Sequence, residues 1–269
     1  MTLIRLDLLD LVLAGLLVIV NGALSVALQL RIERQIAIAA ARMIVQLLLV
    51  GLVLTTLFKL VSPLWTSLAA LAMVLFAGRE IMARQERRLT GPWAYGLGTG
   101  CMLVAATLVT IFALSTQLRP EPWYHPQFSL PILGMILGNA MTGISLGLHT
   151  LTTGLARDRT AVEAQLALGS TRREAMLPVT RAALRSAMMP IVNAMAATGL
   201  VALPGMMTGQ ILSGVAPVEA VKYQLLIMFL IAGGTSMGAV AAVMGGVYRL
   251  TDARHRLRLD RLRDPSGPG

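Results

Sequence analysis

The sequence predicts an all-α polytopic membrane bundle of about seven transmembrane helices. Three observations carry that prediction. Hydrophobic residues make up 56% of the 269 and charged residues only 13%. A soluble domain runs near one quarter charged, so this chain cannot cover itself with polar surface in water. Aliphatic runs of about 20 residues recur along it, each long enough to cross roughly 30 Å of hydrocarbon. The charges are also sorted. With the N-terminus outside and the C-terminus inside, 19 of the 23 Lys and Arg residues fall on inward segments, as the positive-inside rule requires. The Trp and Tyr residues fall at predicted span ends, where amphipathic rings prefer the headgroup layer. The net charge of +10 is therefore a topology signal, and no nucleic-acid partner is expected.

Seven spans are predicted, at 11–30, 36–57, 64–82, 95–114, 130–151, 187–211 and 225–247, from apolar run length and flanking polarity. The first run is too long for a signal h-region and lacks a basic n-region, so no cleavable signal is expected. The second carries Arg42 and Gln46 on one face, four residues apart. An arginine there either finds an intramembrane partner or snorkels to the inner interface. The third is the shortest in apolar length, and Arg79 and Glu80 run it into the headgroups. The fourth holds Cys101, the one cysteine, which excludes an intrachain disulfide or a cysteine metal cluster and reads as a packing residue.

The outer segment 115–129 contains Pro120, Pro122 and Pro126 and reads as a turn region. Glu121 and His125 within it could meet a metal on exit, or belong to a solvated loop; no metal site is assigned. On the fifth span Gly134, Gly138, Gly143 and Gly147 are small residues suited to close helix approach. Asn139 in the same span must find a partner, either another helix or a substrate. The sixth span is interrupted by Pro190 and by Pro204-Gly205. Broken backbone at membrane depth is tolerated only against protein or a water-filled cavity. Asn193, Pro204, Gly205, Met206, Met207 and Gln210, with Arg42, Gln46 and Asn139, are the translocation-path candidates. Met206 and Met207 read as core filler or as soft thioether ligands, better suited to copper(I) than to iron. The last span has a stripe of Gly234, Gly238, Ala242 and Gly246, read as static packing within one subunit. Glu219, Lys222, Tyr223 and Gln224 at its outer start read as a gate or as interface anchors.

Between the fifth and sixth spans lies a polar interruption, EAQLALGSTRREAMLP, in a predicted helix-turn-helix at about 157–178. Thr160 and Glu163 have capping-box spacing, as do Thr171 and Glu174. Gly169 stands where a left-handed residue would end the first helix, and Pro178 is expected to bend or stop the second. A chain does not need such a hairpin merely to turn around. A docking surface for a soluble partner does. No soluble domain is expected on either side: residues 1–252 form one membrane domain, and 253–269 a basic tail. Its RHRLRLDRLR run reads as bound to an anionic leaflet or as solvated, and DPSGPG beyond it as loose.

Together, GMILGNAM (134–141), EAQLALG (163–169), GLVALPGMMTGQI (199–211) and APVEAVKYQ (216–224) resemble the FetB/YbbM family of ABC-transporter permeases. RMIVQLLLVG (42–51) fits its early span, so the resemblance covers nearly the whole chain. It implies a bacterial inner-membrane permease subunit without its own ATPase site, linked to iron export, with a plant branch linked to aluminium tolerance. It implies a separate ATP-binding subunit as partner, carrying the ATP and Mg, and no cofactor on this chain. It also gives the hairpin a role. Glu163, Ala164 and Gly169 match the EAA loop by which permeases dock on the ATPase, with Gln165 in place of the second alanine; Thr171, Arg172 and Arg173 complete the coupling set. A homodimer within a two-plus-two complex is expected. The residues agree in two respects: the chain has no GxxxxGK[ST] phosphate loop. Nor does any Asp or Glu sit mid-span, where an ion-driven carrier, the rival reading, would need one.

Overall fold

The computed structural model describes residues 7–263 except 253 and 255; the DPSGPG end lies outside the described residues. Among the described residues there are nine α-helices, and the chain is about 81% helical. It divides into two compact units, Met1–Val61 and Ser62–Gly269.

The first unit is a hairpin of α1 (Leu8–Ala27) and α2 (Glu33–Leu60). Its turn is tied by Ser25, whose hydroxyl donates to Glu33 at 2.9 Å and accepts the Ile32 N–H at 3.1 Å. Gln29 and Arg31 both take positive φ there. Most of the hairpin's other described side chains are exposed, and most of those are apolar, the surface that suits contact with hydrocarbon.

The second unit contains α3 (Pro63–Ala83), β1 (Arg88–Leu89), α4 (Trp93–Phe112) with a π-helical turn to Leu118, α5 (Pro126–Arg157), α6 (Arg159–Ala167), α7 (Arg172–Ala197), α8 (Gly205–Leu212), α9 (Pro217–Arg249) and β2 (Leu262–Arg263). Helix α5 is the hub and packs on α3, α4, α7 and α9. The glycines of the fifth and seventh predicted spans show how. A Cβ at Gly147 would meet Val243 at 2.9 Å, and one at Gly234 would meet Ile136 at 2.7 Å. These small residues set the spacing inside one chain, because lipid supplies no hydrophobic drive for helices to meet and close contact must do so.

Among the described residues, six helices (α1–α5 and α9) are long and apolar enough to cross a membrane. The predicted sixth span is not among them, because it is not one helix. Helix α7 begins at Arg172 and runs through both Pro178 and Pro190, so Pro178 does not stop it. The face made by Ala175, Met176, Val179, Ala183, Ala187 and Ile191 is buried, and that packing outweighs a proline penalty of about 3 kcal/mol. The chain breaks later, at residues 198–203. Gly199 takes φ +96 and donates to the Ala202 carbonyl at 2.9 Å. Leu203, just before Pro204, is disfavoured in a helix, and α8 begins afresh at Gly205.

At α5's 32 residues, about 48 Å at 1.5 Å per residue, the helix outruns the hydrocarbon layer. Its C-terminal end leads into the hairpin of α6 and the start of α7. At the same end Arg172 lies over the Tyr248 ring at 5.6 Å and Arg249 over Trp93 at 5.1 Å. The starts of α4 and α7, the end of α9 and the tail therefore meet. The tail is ordered where it is described: β2 pairs antiparallel with β1, Arg263 opposite Arg88 and Leu262 opposite Leu89.

Candidate coupling hairpin and translocation path

Local chemistry closes the hairpin. The Gly169 N–H donates to the Leu166 carbonyl and the Ser170 N–H to the Gln165 carbonyl, each at 3.1 Å. That pair is a Schellman motif, and Gly169 at φ +92 supplies the left-handed residue it requires. Two residues on, Thr171 caps α7: its hydroxyl oxygen accepts the Glu174 N–H at 3.3 Å, while Glu174 accepts the Thr171 N–H at 2.8 Å. The Thr171 N–H, and then its hydroxyl, which also donates to the carboxylate at 2.8 Å, hold the Glu174 carboxyl below its ordinary range.

The first predicted capping box is not formed. Asp158, not Thr160, precedes α6, and it makes no side-chain cap. Its carboxylate is instead held by a two-point bond from Arg157 at 2.8 and 2.9 Å, which lowers its pKa. Glu163 pairs with Arg159 one turn back at 2.8 Å.

Val162 is buried and anchors α6 to the bundle, while Glu163, Ala164, Gln165, Gly169, Thr171 and Arg173 face outward. Leu168, at the elbow, is 86% exposed. Beside the hairpin, a groove of about 560 Å³ runs between α5 and α7, with Arg157, Asp158, Pro178 and Val179 on its walls. The arrangement is a short helix closed at its C-terminal end by the Schellman motif and rooted on Val162, offering a polar face and one exposed leucine.

The path candidates separate. Arg42 and Gln46 are exposed on α2, in the first unit. In the second unit, Asn139 donates to the Met135 carbonyl at 2.9 Å within its own helix. Asn193 and Met206 are exposed, Met207 is buried, and Pro204 and Gly205 form the start of α8. Gln210 has a buried Oε1 with no partner. Sequence reasoning passed over others of that kind: Thr110, Ser145, His149 and Thr235 also bury an unpartnered polar atom, as does Gln224. A polar residue within an apolar run was the available signal, and Ser145 and His149 share one face of α5 at four-residue spacing. Among the described residues no group of three or more His, Cys, Asp or Glu could hold a metal. His125 is engaged locally, accepting the Gln127 N–H at 3.4 Å.

Helices of this length and polarity, packed through small residues and carrying a polar hairpin at one end, define a polytopic helical membrane protein. The chain belongs to the UPF0014 family, described as an uncharacterised protein family, whose profile matches residues 8–251. It is 36% identical to the UPF0014 membrane protein slr1647 of Synechocystis, over 84% of this chain and 86% of that one. It is 31% identical to Protein ALUMINUM SENSITIVE 3 of Arabidopsis thaliana, over 85% and 82%. It is 30% identical to the Probable iron export permease protein FetB of Escherichia coli, over 94% and 96%. No solved structure matches.

Proposed function

We propose that this chain is the permease subunit of an ATP-binding cassette transporter in the bacterial cytoplasmic membrane. Two copies pair with two separate ATPase subunits and export iron or another metal ion. The observation that carries the reading is the hairpin: its elbow is locked by a Schellman motif and a capping box, and Leu168 projects from it. Metal and direction are supported by near full-length similarity to a relative named a probable iron export permease. The basic end of the bundle, hairpin included, faces the cytosol by the positive-inside rule. ATP binding closes the ATPase dimer, the hairpin transmits that motion, and the bundle alternates between inward- and outward-open states. The chain contributes differential binding of substrate in the two conformations.

The test pairs the chain with a lone ATP-binding-cassette subunit from the same genome. Cell iron is measured with both genes, with each alone, and with Gly169→Trp, while ATPase activity is followed in the reconstituted complex. Both genes together should lower cell iron, and Gly169→Trp should abolish the effect. Iron efflux that needs no ATPase would favour an ATP-independent carrier. Unchanged coupled transport in Gly169→Trp would remove the hairpin's role.

A further inference from the structure

At the basic end of the second unit a groove of about 570 Å³ opens between the start of α4, the start of α7, the end of α9 and the tail. Three guanidinium groups, Arg172, Arg249 and Arg261, line it together with Trp93 and Tyr248. One carboxylate, Asp252, also borders it, but accepts the backbone N–H groups of Arg254 and Arg256 at 2.9 Å each. Those bonds hold its pKa low, so it stays ionised, and three positive charges stand against one negative.

The geometry of Arg249 is specific. Its planar head covers the Trp93 ring at 5.1 Å, which occupies a face and leaves the in-plane N–H groups to find acceptors. Its Nε is buried with no acceptor, a costly state for a charged donor. Arg261 reaches across and donates to the Arg249 carbonyl at 2.8 Å, so the tail forms one wall. Arg172 is the first residue of α7, where the helix dipole adds positive potential. An oxyanion in the groove would satisfy the orphaned Nε–H and balance the charge through the in-plane donors that guanidinium offers to phosphate. Trp93 and Tyr248 mark this as headgroup depth, where basic pockets between helices meet anionic lipid.

We propose that this groove is a phosphate-binding site whose occupant is the phosphate of an anionic phospholipid headgroup. The site belongs to this chain alone and does not depend on an ATPase partner.

The test uses the purified full chain in neutral detergent. Phosphatidylglycerol, phosphatidylcholine and inorganic phosphate are added separately, and thermal stabilisation and lipid retention by native mass spectrometry are read. Phosphatidylglycerol should stabilise and be retained, and phosphatidylcholine should not. Arg249→Gln and Arg172→Gln should each weaken phosphatidylglycerol binding by about ten-fold or more. Arg258→Gln, outside the groove and paired with Asp260, should not. Stabilisation by inorganic phosphate with no lipid retained would keep the phosphate chemistry and overturn the lipid source. Equal response to both lipids with none to phosphate would overturn the site, and this wild-type comparison stands even if a variant fails to fold. Unchanged affinity in both folded groove variants would overturn it as well.

Discussion

Replacing Gly143 with alanine tests whether small residues set the spacing of α5, α7 and α9. A Cβ at Gly143 would lie 2.9 Å from the Thr235 methyl and 3.0 Å from the Ala187 carbonyl oxygen. The methyl can turn aside. The oxygen belongs to the backbone of α7 and yields only if that helix moves. At Gly138, earlier on the same helix, nothing lies within 4 Å of such a carbon. Both substitutions gain the same helix propensity, about 1 kcal/mol, so their difference isolates packing. Overfilling a packed site costs about 1–3 kcal/mol, so Gly143→Ala should be less stable than Gly138→Ala by that amount. At about 2–4 °C per kcal/mol for a chain of this size, the two should melt roughly 2–12 °C apart in detergent. Equal melting temperatures would refute the inference that this glycine holds the helices at their observed distance.

Two further outcomes follow from the hairpin. With Cys101 replaced by serine and Gly169 by cysteine, a membrane-impermeant maleimide should label inverted vesicles and leave intact cells unlabelled; labelling from outside would overturn the assigned orientation. Thr171→Ala should cost about 1 kcal/mol through loss of the cap. Because Glu174's carboxyl is lowered in the folded state, its contribution is complete above the unfolded carboxylate's pKa of about 4.3 and fades as pH falls through the folded value. The gap in melting temperature between Glu174→Gln and the parent should therefore be wide at pH 7 and narrow toward pH 3; a gap that does not change with pH would refute the role of the Glu174 side chain.

Features governed by neighbours in sequence were legible, and those governed by distant packing were not. Gly169 and Thr171 could be placed because a left-handed residue and a cap are decided within a few residues. Thr160 was misplaced because Asp158, two residues earlier, starts the helix first, while its carboxylate is occupied by Arg157. Pro178 carried a local stop signal, but the buried face of α7 overrode it, and no local pattern reports what a face will meet. The break near Pro204 was visible in composition; its position, centred on Gly199 with α8 after it, came from backbone bonds between residues 197 and 202. The polar atoms left without partners at Ser145, His149 and Thr235 depend on which helices meet. They could not be read from their own spans.

The short pairing of Arg88–Leu89 with Leu262–Arg263, extended by the Thr90 N–H to the Arg261 carbonyl at 2.8 Å, joins stretches made far apart in time. During synthesis the earlier strand leaves the ribosome before α4 to α9 exist, with its backbone donors still waiting for acceptors. Only residues that follow α9 can complete it. This latch is thus fastened only after α4 to α9 have been made, and a chain ending before residue 262 would keep those helices with the turn between α3 and α4 left undone.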